Sequence, residues 1–223
     1  MKPYIVCHMM ASLDGHIDCA MTEQIESGDE YYEALDKLNC PSTLMGRVTM
    51  QMHYASGGNF KAKDAAPVGK ESFHKSVESK GYIIAVDSKG SLEWDANEFD
   101  GMSLLVVTSE DCPKEYVDGL SEKGISWIAA GTGSIDLARA MDIAYREFGI
   151  KRLSVTGGGN INAAFLVAGL LDEVSMMYAP GIDGRSGMAA AFDGIKNPDK
   201  PATKLSLKSV ERMGEVVWLR YAV

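Results

Sequence analysis

The chain has 223 residues, 46% of them hydrophobic and 24% charged, with a net charge of -9. That is globular composition, expected as one domain over residues 1–223, and an acidic balance with no local basic cluster excludes a nucleic-acid binder. No run approaches ~18 apolar residues, so no membrane span is expected, and Cys7, Cys19, Cys40 and Cys112 form neither a CxxC pair nor a metal-spaced cluster with histidine, which points to reduced thiols, a cytoplasmic setting and no metal.

In chain order, "MKPYIVCHMMASLDG" reads as a buried strand closed by a turn at Asp14, not as a leader peptide. From Ser27, "SGDEYYEALDKLN" reads as a helix with an acidic first turn that stops before Cys40-Pro41. "STLMG" is a short strand, and Gly46 allows a sharp exit into the helix "RVTMQMHY". Residues 56–80 are polar and glycine-rich, a loop with room for one helical turn. "GYIIAVDS" and "SLLVVTS" are strands, followed by a helix from Pro113 to Lys123. Next come the strand "ISWIAAG", the amphipathic helix "SIDLARAMDIAYREFG" ended by Gly149, the strand "KRLSVTG", the helix "NINAAFLVAGLL" and the strand "DEVSMMYAP". A loop from Gly181 to Pro201 precedes a hairpin turning at Met213-Gly214. Strands alternating with helices imply right-handed βαβ crossovers and a mostly parallel sheet, which the closing antiparallel hairpin makes mixed.

Two stretches carry chemistry. "VTGGGNINAAF" is strand, glycines, helix. The first free N–H groups of such a helix make an anion site, and bare glycine backbone lets a diphosphate approach; a tight turn with close strand–helix packing explains the glycines equally well. The spacing is not G-x-G-x-x-G, and no acid follows at the dinucleotide-fold distance. "TLMGRVTM" repeats the pattern with Gly46, Arg47 and Thr49, where a guanidinium at a helix start holds a phosphate bidentately or serves as a surface ion-pair residue. In "VDSKG", Asp87, Ser88 and Lys89 suit an adenosine ribose carrying a 2′-phosphate.

The order "ASLDGHI", "LMGRVTM", "VDSKG", "TGGGNINAAFLVAGLLDEVSMMYAP" resembles the reductase domain of riboflavin biosynthesis, the RibD C-terminal family, from Tyr4 to about Val217. The resemblance implies an α/β, dihydrofolate reductase-like three-layer fold with eight or nine strands, NADPH as cofactor, and a homodimer. It places Met10, Ala11 and Ile17 beside the nicotinamide and gives Arg47 and Thr49 the 2′-phosphate and diphosphate. Ser88 and Lys89 then face the adenosine ribose, and Gly157, Gly158, Gly159, Asn160 and Ile161 line the diphosphate.

The substrate side departs from the family pattern twice. Thr156 stands where the riboflavin reductases carry a pyrimidine-binding glutamate, and His53 where an aspartate is expected. Counting back from Gly46 without a gap, Glu30 falls where dihydrofolate reductases place their pterin-binding acid, though it also suits a helix N-terminus. Asp14 either orients substrate or closes its turn. Glu30, Asp14 or a water is the expected proton source, and His8 a satisfied core residue.

The leading expectation is hydride transfer from NADPH to a C=N carbon of a small heterocyclic substrate, a pyrimidine ribosylamine becoming a ribitylamine. Pterin reduction is the alternative, weakened because residues 18–27 lack the tryptophan-containing loop of those enzymes. A nucleotide-binding protein that kept the fold without catalysis is the third. In "EVVWLRY" apolar residues fall on both strand faces, so one covers the core and the other needs a second copy or a helix of the same chain.

Overall fold

Apolar runs alternating with amphipathic stretches form eleven strands and five helices among the described residues. The computed structural model describes residues 1–17, 20, 23–25 and 28–223; Ser27, where the sequence starts its first helix, Cys19 and most of the 18–27 segment lie outside them. In chain order the elements are β1 (Tyr4–Ala11), a 3-10 turn (Glu23–Ile25), α1 (Gly28–Leu38), β2 (Ser42–Gly46), α2 (Arg47–His53), β3 (Ser72–His74), β4 (Tyr82–Val86), β5 (Glu98–Phe99) and β6 (Met102–Thr108). They continue with α3 (Lys114–Glu122), β7 (Ser126–Ala129), α4 (Leu137–Arg146), β8 (Arg152–Val155), α5 (Gly159–Val167), β9 (Glu173–Tyr178), β10 (Ser206–Met213) and β11 (Val216–Ala222).

The count exceeds the eight or nine expected because of two short strands. β3 lies in the stretch read as loop, and no helical turn forms between residues 56 and 80. Three residues carry no usable periodicity; β3 is a strand because Phe73 pairs antiparallel with Ile128 of β7. β5 is two residues paired antiparallel to β6. The helix expected to reach Leu171 stops at Val167, where Gly169 at φ 66° and the Leu170 amide, bonded to the Phe165 carbonyl at 3.0 Å, close it.

The chain divides into two compact units, with the division inside β8. The first comprises Met1–Pro3 and Pro41–Leu153. There β2, β4, β6 and β7 lie parallel in that order, with β3 antiparallel to β7. Ile83, Ala85, Leu104 and Val106 pack on one face against Met50 of α2 and Tyr116, Val117 and Leu120 of α3. Ile84, Leu105 and Val107, on the other face, are equally buried. Burial on both faces explains why these strands read as continuous apolar runs.

The second unit comprises Tyr4–Cys40 and Ser154–Val223. Its order is β10-β11-β9-β1, with β1 parallel to β9 and the hairpin antiparallel, as the sequence indicates. Ala34 and Leu38 of α1 pack on Val6, Met10, Met177, Val216 and Trp218. On that face His8 is fully buried, its Nδ1 2.9 Å from Ser175 Oγ, its Nε2 3.3 Å from the Tyr31 carbonyl, and its ring stacked on Tyr31. The Tyr31 carbonyl can only accept, so the proton of neutral His8 sits on Nε2 and Nδ1 accepts from the Ser175 hydroxyl, whose oxygen in turn accepts from Trp218 Nε1 at 2.7 Å. Burial holds the His8 pKa down to about 4. Glu173 is buried; burial pushes its carboxyl up, but hydrogen bonds from Arg220, Lys208 and Tyr4 outweigh that and hold it below its usual value. No helix among the described residues is long and apolar enough to cross a membrane, and none of their acidic, histidine and cysteine side chains cluster to hold a metal.

Candidate active site

In the second unit, the ends of β1 and β9 lie side by side, with Ala11 opposite Tyr178 and the Ala179 amide donating to the Ala11 carbonyl at 2.9 Å. Met10 and Ala11 are buried at that end. Beyond them Ser12 to Ile17 form a tight loop: the Ser12 amide donates to the His16 carbonyl at 2.9 Å, and Gly15 takes φ 90°, open chiefly to glycine. Ile17, half-buried, donates its amide to the Ala189 carbonyl at 3.1 Å.

Both oxygens of Asp14 are engaged. Oδ1 accepts from Ser12 Oγ at 2.6 Å and the Asp183 amide at 3.0 Å, and Oδ2 from the Gly184 amide at 2.9 Å. The Ser12 hydroxyl first, then the Gly184 and Asp183 amides, hold its carboxyl well below the usual carboxylate range. His16 Nδ1 lies 3.6 Å from both the Asp14 and the Asp183 carboxylates, and Asp183 also pairs with Arg185. Asp14 thus ties its own turn to a distant loop. Glu30, half-buried in the first turn of α1, has no hydrogen-bond or ion-pair partner among the described residues. Its Oε1 sits 2.9 Å from where a Cβ on Gly214 would stand, beside the hairpin turn.

The three glycines separate into different roles. Gly157 takes φ 124°, a conformation L side chains rarely adopt. A Cβ on Gly159 would stand 2.2 Å from the Ala190 carbonyl oxygen, so this glycine makes room for the chain's own loop. Gly158 is the N-cap of α5, with extended backbone that other residues also adopt. The amides of Ile161 and Asn162 bond the Gly158 carbonyl at 3.1 and 3.2 Å, whereas those of Gly159 and Asn160 have no partner among the described residues. Asn160 is exposed and Ile161 half-buried; Thr156, half-buried, leads into the glycines.

In the first unit, Gly46 and Val86 are register partners at the ends of parallel β2 and β4. Arg47 therefore leaves one strand end beside the turn that carries Ser88 and Lys89. β2 passes directly into α2 at Gly46, the sharp exit read from the sequence, but with φ -75° and ψ 162° the conformation does not require glycine. Arg47, the first residue of α2, is exposed and without a hydrogen-bond or ion-pair partner among the described residues; Thr49, half-buried, lies in the same turn. Ser88 and Lys89 are exposed. Asp87, grouped with them in the sequence, is buried instead and shapes the turn, accepting from the Ser91 amide at 2.6 Å and the Leu92 amide at 2.8 Å. His53 is exposed at the far end of α2, ~9 Å along the axis from Arg47 at the helical rise.

Three groups escaped sequence reasoning. Asn162 is fully buried with Nδ2 donating to the Ala191 carbonyl at 2.7 Å, and Asp183 and Arg185 form the ion pair beside His16. An asparagine flanked by Ile161 and Ala163 inside the helix "NINAAFLV", beyond the polar Asn160 at its start, was the available signal for Asn162. Asp183 pairs with Arg185 two residues on, but what places it at the site is its amide bond to Asp14, 169 positions away, which nothing local marks.

A family model described as the RibD C-terminal domain matches residues 3–219. The 2,5-diamino-6-ribosylamino-4(3H)-pyrimidinone 5′-phosphate reductase of Archaeoglobus fulgidus is 26% identical over 218 residues, covering 96% of this chain and 95% of its own. The enzyme of the same name from Methanothermobacter thermautotrophicus is 27% identical over 227 residues, covering 100% and 99%. Among solved structures, a pyrimidine reductase-like protein from Corynebacterium diphtheriae matches with a TM-score of 0.72 at 17% identity, covering 99% of this chain and 91% of that one, a likeness of fold.

Proposed function

Because the chain belongs to the RibD C-terminal domain family, we propose that it is an NADPH-dependent oxidoreductase that reduces a phosphorylated pyrimidine ribosylamine to the ribitylamine. The observation that carries this reading is the pair of unpartnered amides, Gly159 and Asn160, at the start of α5 after bare glycine backbone. Such a turn binds an anion through its N–H groups and the helix dipole, which fits a cofactor diphosphate. Arg47, without a carboxylate partner among the described residues and beside Ser88 and Lys89, is assigned with Thr49 to the phosphates of the adenosine half; NADPH, unlike NADH, carries a 2′-phosphate there. Bound NADPH supplies the hydride that reduces the C=N carbon.

The chain's own residues orient and exclude water. Met10, Ala11 and Ile17 offer an apolar edge for the nicotinamide, and burial at the strand ends keeps water from the reacting carbon. Glu30 is the acid assigned to the substrate, since its carboxylate has no partner among the described residues and both Asp14 oxygens are taken. It accepts from amino groups of a pyrimidine, or gives up a proton when protonated, while Thr156 offers a hydroxyl in place of a glutamate and His53 remains a substrate-side residue.

The test is NADPH oxidation followed with the pyrimidine ribosylamine 5′-phosphate and with dihydrofolate. Turnover of the first alone is expected. Turnover of dihydrofolate alone supports pterin reduction, for which Glu30 serves equally. Cofactor binding without turnover of either supports the non-catalytic reading.

The assembly assigned is a homodimer. Leu207 and Val210 of β10 share a sheet face with Tyr221 and Leu219 of β11, and both are more than half exposed. Trp218 and Val216, on the opposite face, are buried against α1. A two-fold pairing covers such a face.

A further inference from the structure

Between β9 and β10 the chain leaves regular structure after Tyr178, and from Gly181 through Gly194 most of its residues are exposed or half-exposed. This stretch is nevertheless fastened on two sides. On one side is the loop after β1. The Leu13 amide donates to the Gly181 carbonyl at 2.8 Å, the Ile17 amide to the Ala189 carbonyl at 3.1 Å, and Asp14 accepts the Asp183 and Gly184 amides. His16 and Ala190 form an isolated antiparallel bridge. On the other side is the first turn of α5. The Asp193 amide donates to the Gly159 carbonyl at 3.1 Å, Asn162 Nδ2 donates to the Ala191 carbonyl at 2.7 Å, and the bare Cα of Gly159 faces the Ala190 carbonyl. Hydrogen bonds, more than apolar burial, hold this stretch in place.

Asn162 is the group that needs explaining. It is fully buried, and its Oδ1 has no partner among the described residues. An orphaned buried carbonyl is destabilising, and an apolar residue of the same shape avoids the penalty. What the amide contributes is the donor on its other end, which reaches only the strap.

We propose that residues 181–194 are a strap and that Asn162 is the positioning residue that seats it on the first turn of α5, so that this turn and the Ser12–Ile17 loop move as one. This rests on the reading above in one respect: with the cofactor diphosphate on the α5 turn, its binding and the ordering of the loop after β1 become a single cooperative event.

Amide hydrogen exchange on the full chain tests this, with Asn162→Leu as the variant. Without cofactor, the variant is expected to melt within ~4 °C of the parent, the lost Asn162–Ala191 bond being offset in part by removal of the orphaned Oδ1. Its Asp183, Gly184 and Ile17 amides, none of which touches Asn162, are expected to exchange ~10-fold faster or more as the strap opens locally. Faster exchange confined to Asp193 overturns the proposal, as does unchanged exchange throughout. If Asn162→Leu does not fold, Asp14→Ala is read from the opposite end: acceleration at the Asp193 amide supports the strap, and its absence overturns it. With saturating NADPH, the parent is expected to slow at Asp183 and Gly184, and Asn162→Leu to bind NADPH without slowing there. Slowing there in the variant overturns the coupling. No protection of residues 157–161 by NADPH in the parent overturns the cofactor reading, and the coupling built on it, while the cofactor-free comparison still decides the strap.

Discussion

Replacing Gly159 by alanine places a Cβ 2.2 Å from the Ala190 carbonyl oxygen, 3.0 Å from the Asp193 Cβ and 3.3 Å from the Asp193 amide nitrogen. The first contact is ~1 Å short of van der Waals separation, and the atoms in the way are backbone. The loop must therefore lift. A movement of that size breaks the Asp193 amide bond to the Gly159 carbonyl and the Asn162 bond to the Ala191 carbonyl. Two net hydrogen bonds at ~1 kcal/mol each, with overpacking strain relieved in part by the loop's exposure, give a loss of ~2–4 kcal/mol. For a chain of this length each kcal/mol lowers Tm by ~2–4 °C, so Gly159→Ala is expected to melt ~5–15 °C below the parent. Calorimetry without any nucleotide reads this directly, because the penalty lies within the protein. An unchanged Tm refutes the argument and returns Gly159 to the cofactor.

Gly158→Val is expected to give the opposite signature, a parent-like Tm without cofactor and no NADPH binding by calorimetry; normal binding would make this glycine a packing device too. The parent is expected to prefer NADPH strongly to NADH, and Arg47→Ala to lose ~1.5–3 kcal/mol of NADPH affinity, the range for a charge-assisted contact; equal affinities in the parent exclude the 2′-phosphate assignment. His8 titrates near 6.5 unfolded and about 4 folded, so the unfolded chain binds the extra proton between those values. Stability is then complete above pH 6.5 and falls by up to about 3 kcal/mol toward pH 4, and urea curves of His8→Gln lacking that slope are the check. Light scattering is expected to give twice the 24.1 kDa chain mass, and Val210→Lys with Leu207→Lys to give the single mass; a monomeric parent removes the dimer.

The local parts of this protein were legible because their causes are local. The strand "STLMG" and the helix after it fall where apolar run, glycine and helix-forming residues put them, and the hairpin turn, Gly214 and Glu215, lies one residue beyond the Met213-Gly214 pair read from the sequence. His8 was readable as a satisfied core residue from the unbroken apolar strand around it. The strand–glycine–helix pattern around Arg47 and around the three glycines was legible for the same reason, because a helix start after a strand is marked by a few consecutive residues.

What the tertiary structure alone decided is where contacts between distant residues assign the role. Three residues become β3 because β7 offers an edge. Asp87 turns inward to hold Ser91 and Leu92, leaving Ser88 and Lys89 outside. Asp14 and Glu30 are equivalent carboxylates on paper; Asp14 takes a local bond from Ser12, and the Asp183 and Gly184 amides, some 170 positions along the chain, engage it further, whereas Glu30 has no partner among the described residues. Gly159 shares its letter with Gly158, but Ala190 stands against one of them. Sequence determines which conformations and chemistries a residue is capable of, because those depend on the side chain and its near neighbours. Which of them it uses depends on what packs against it, and that partner is chosen by the fold.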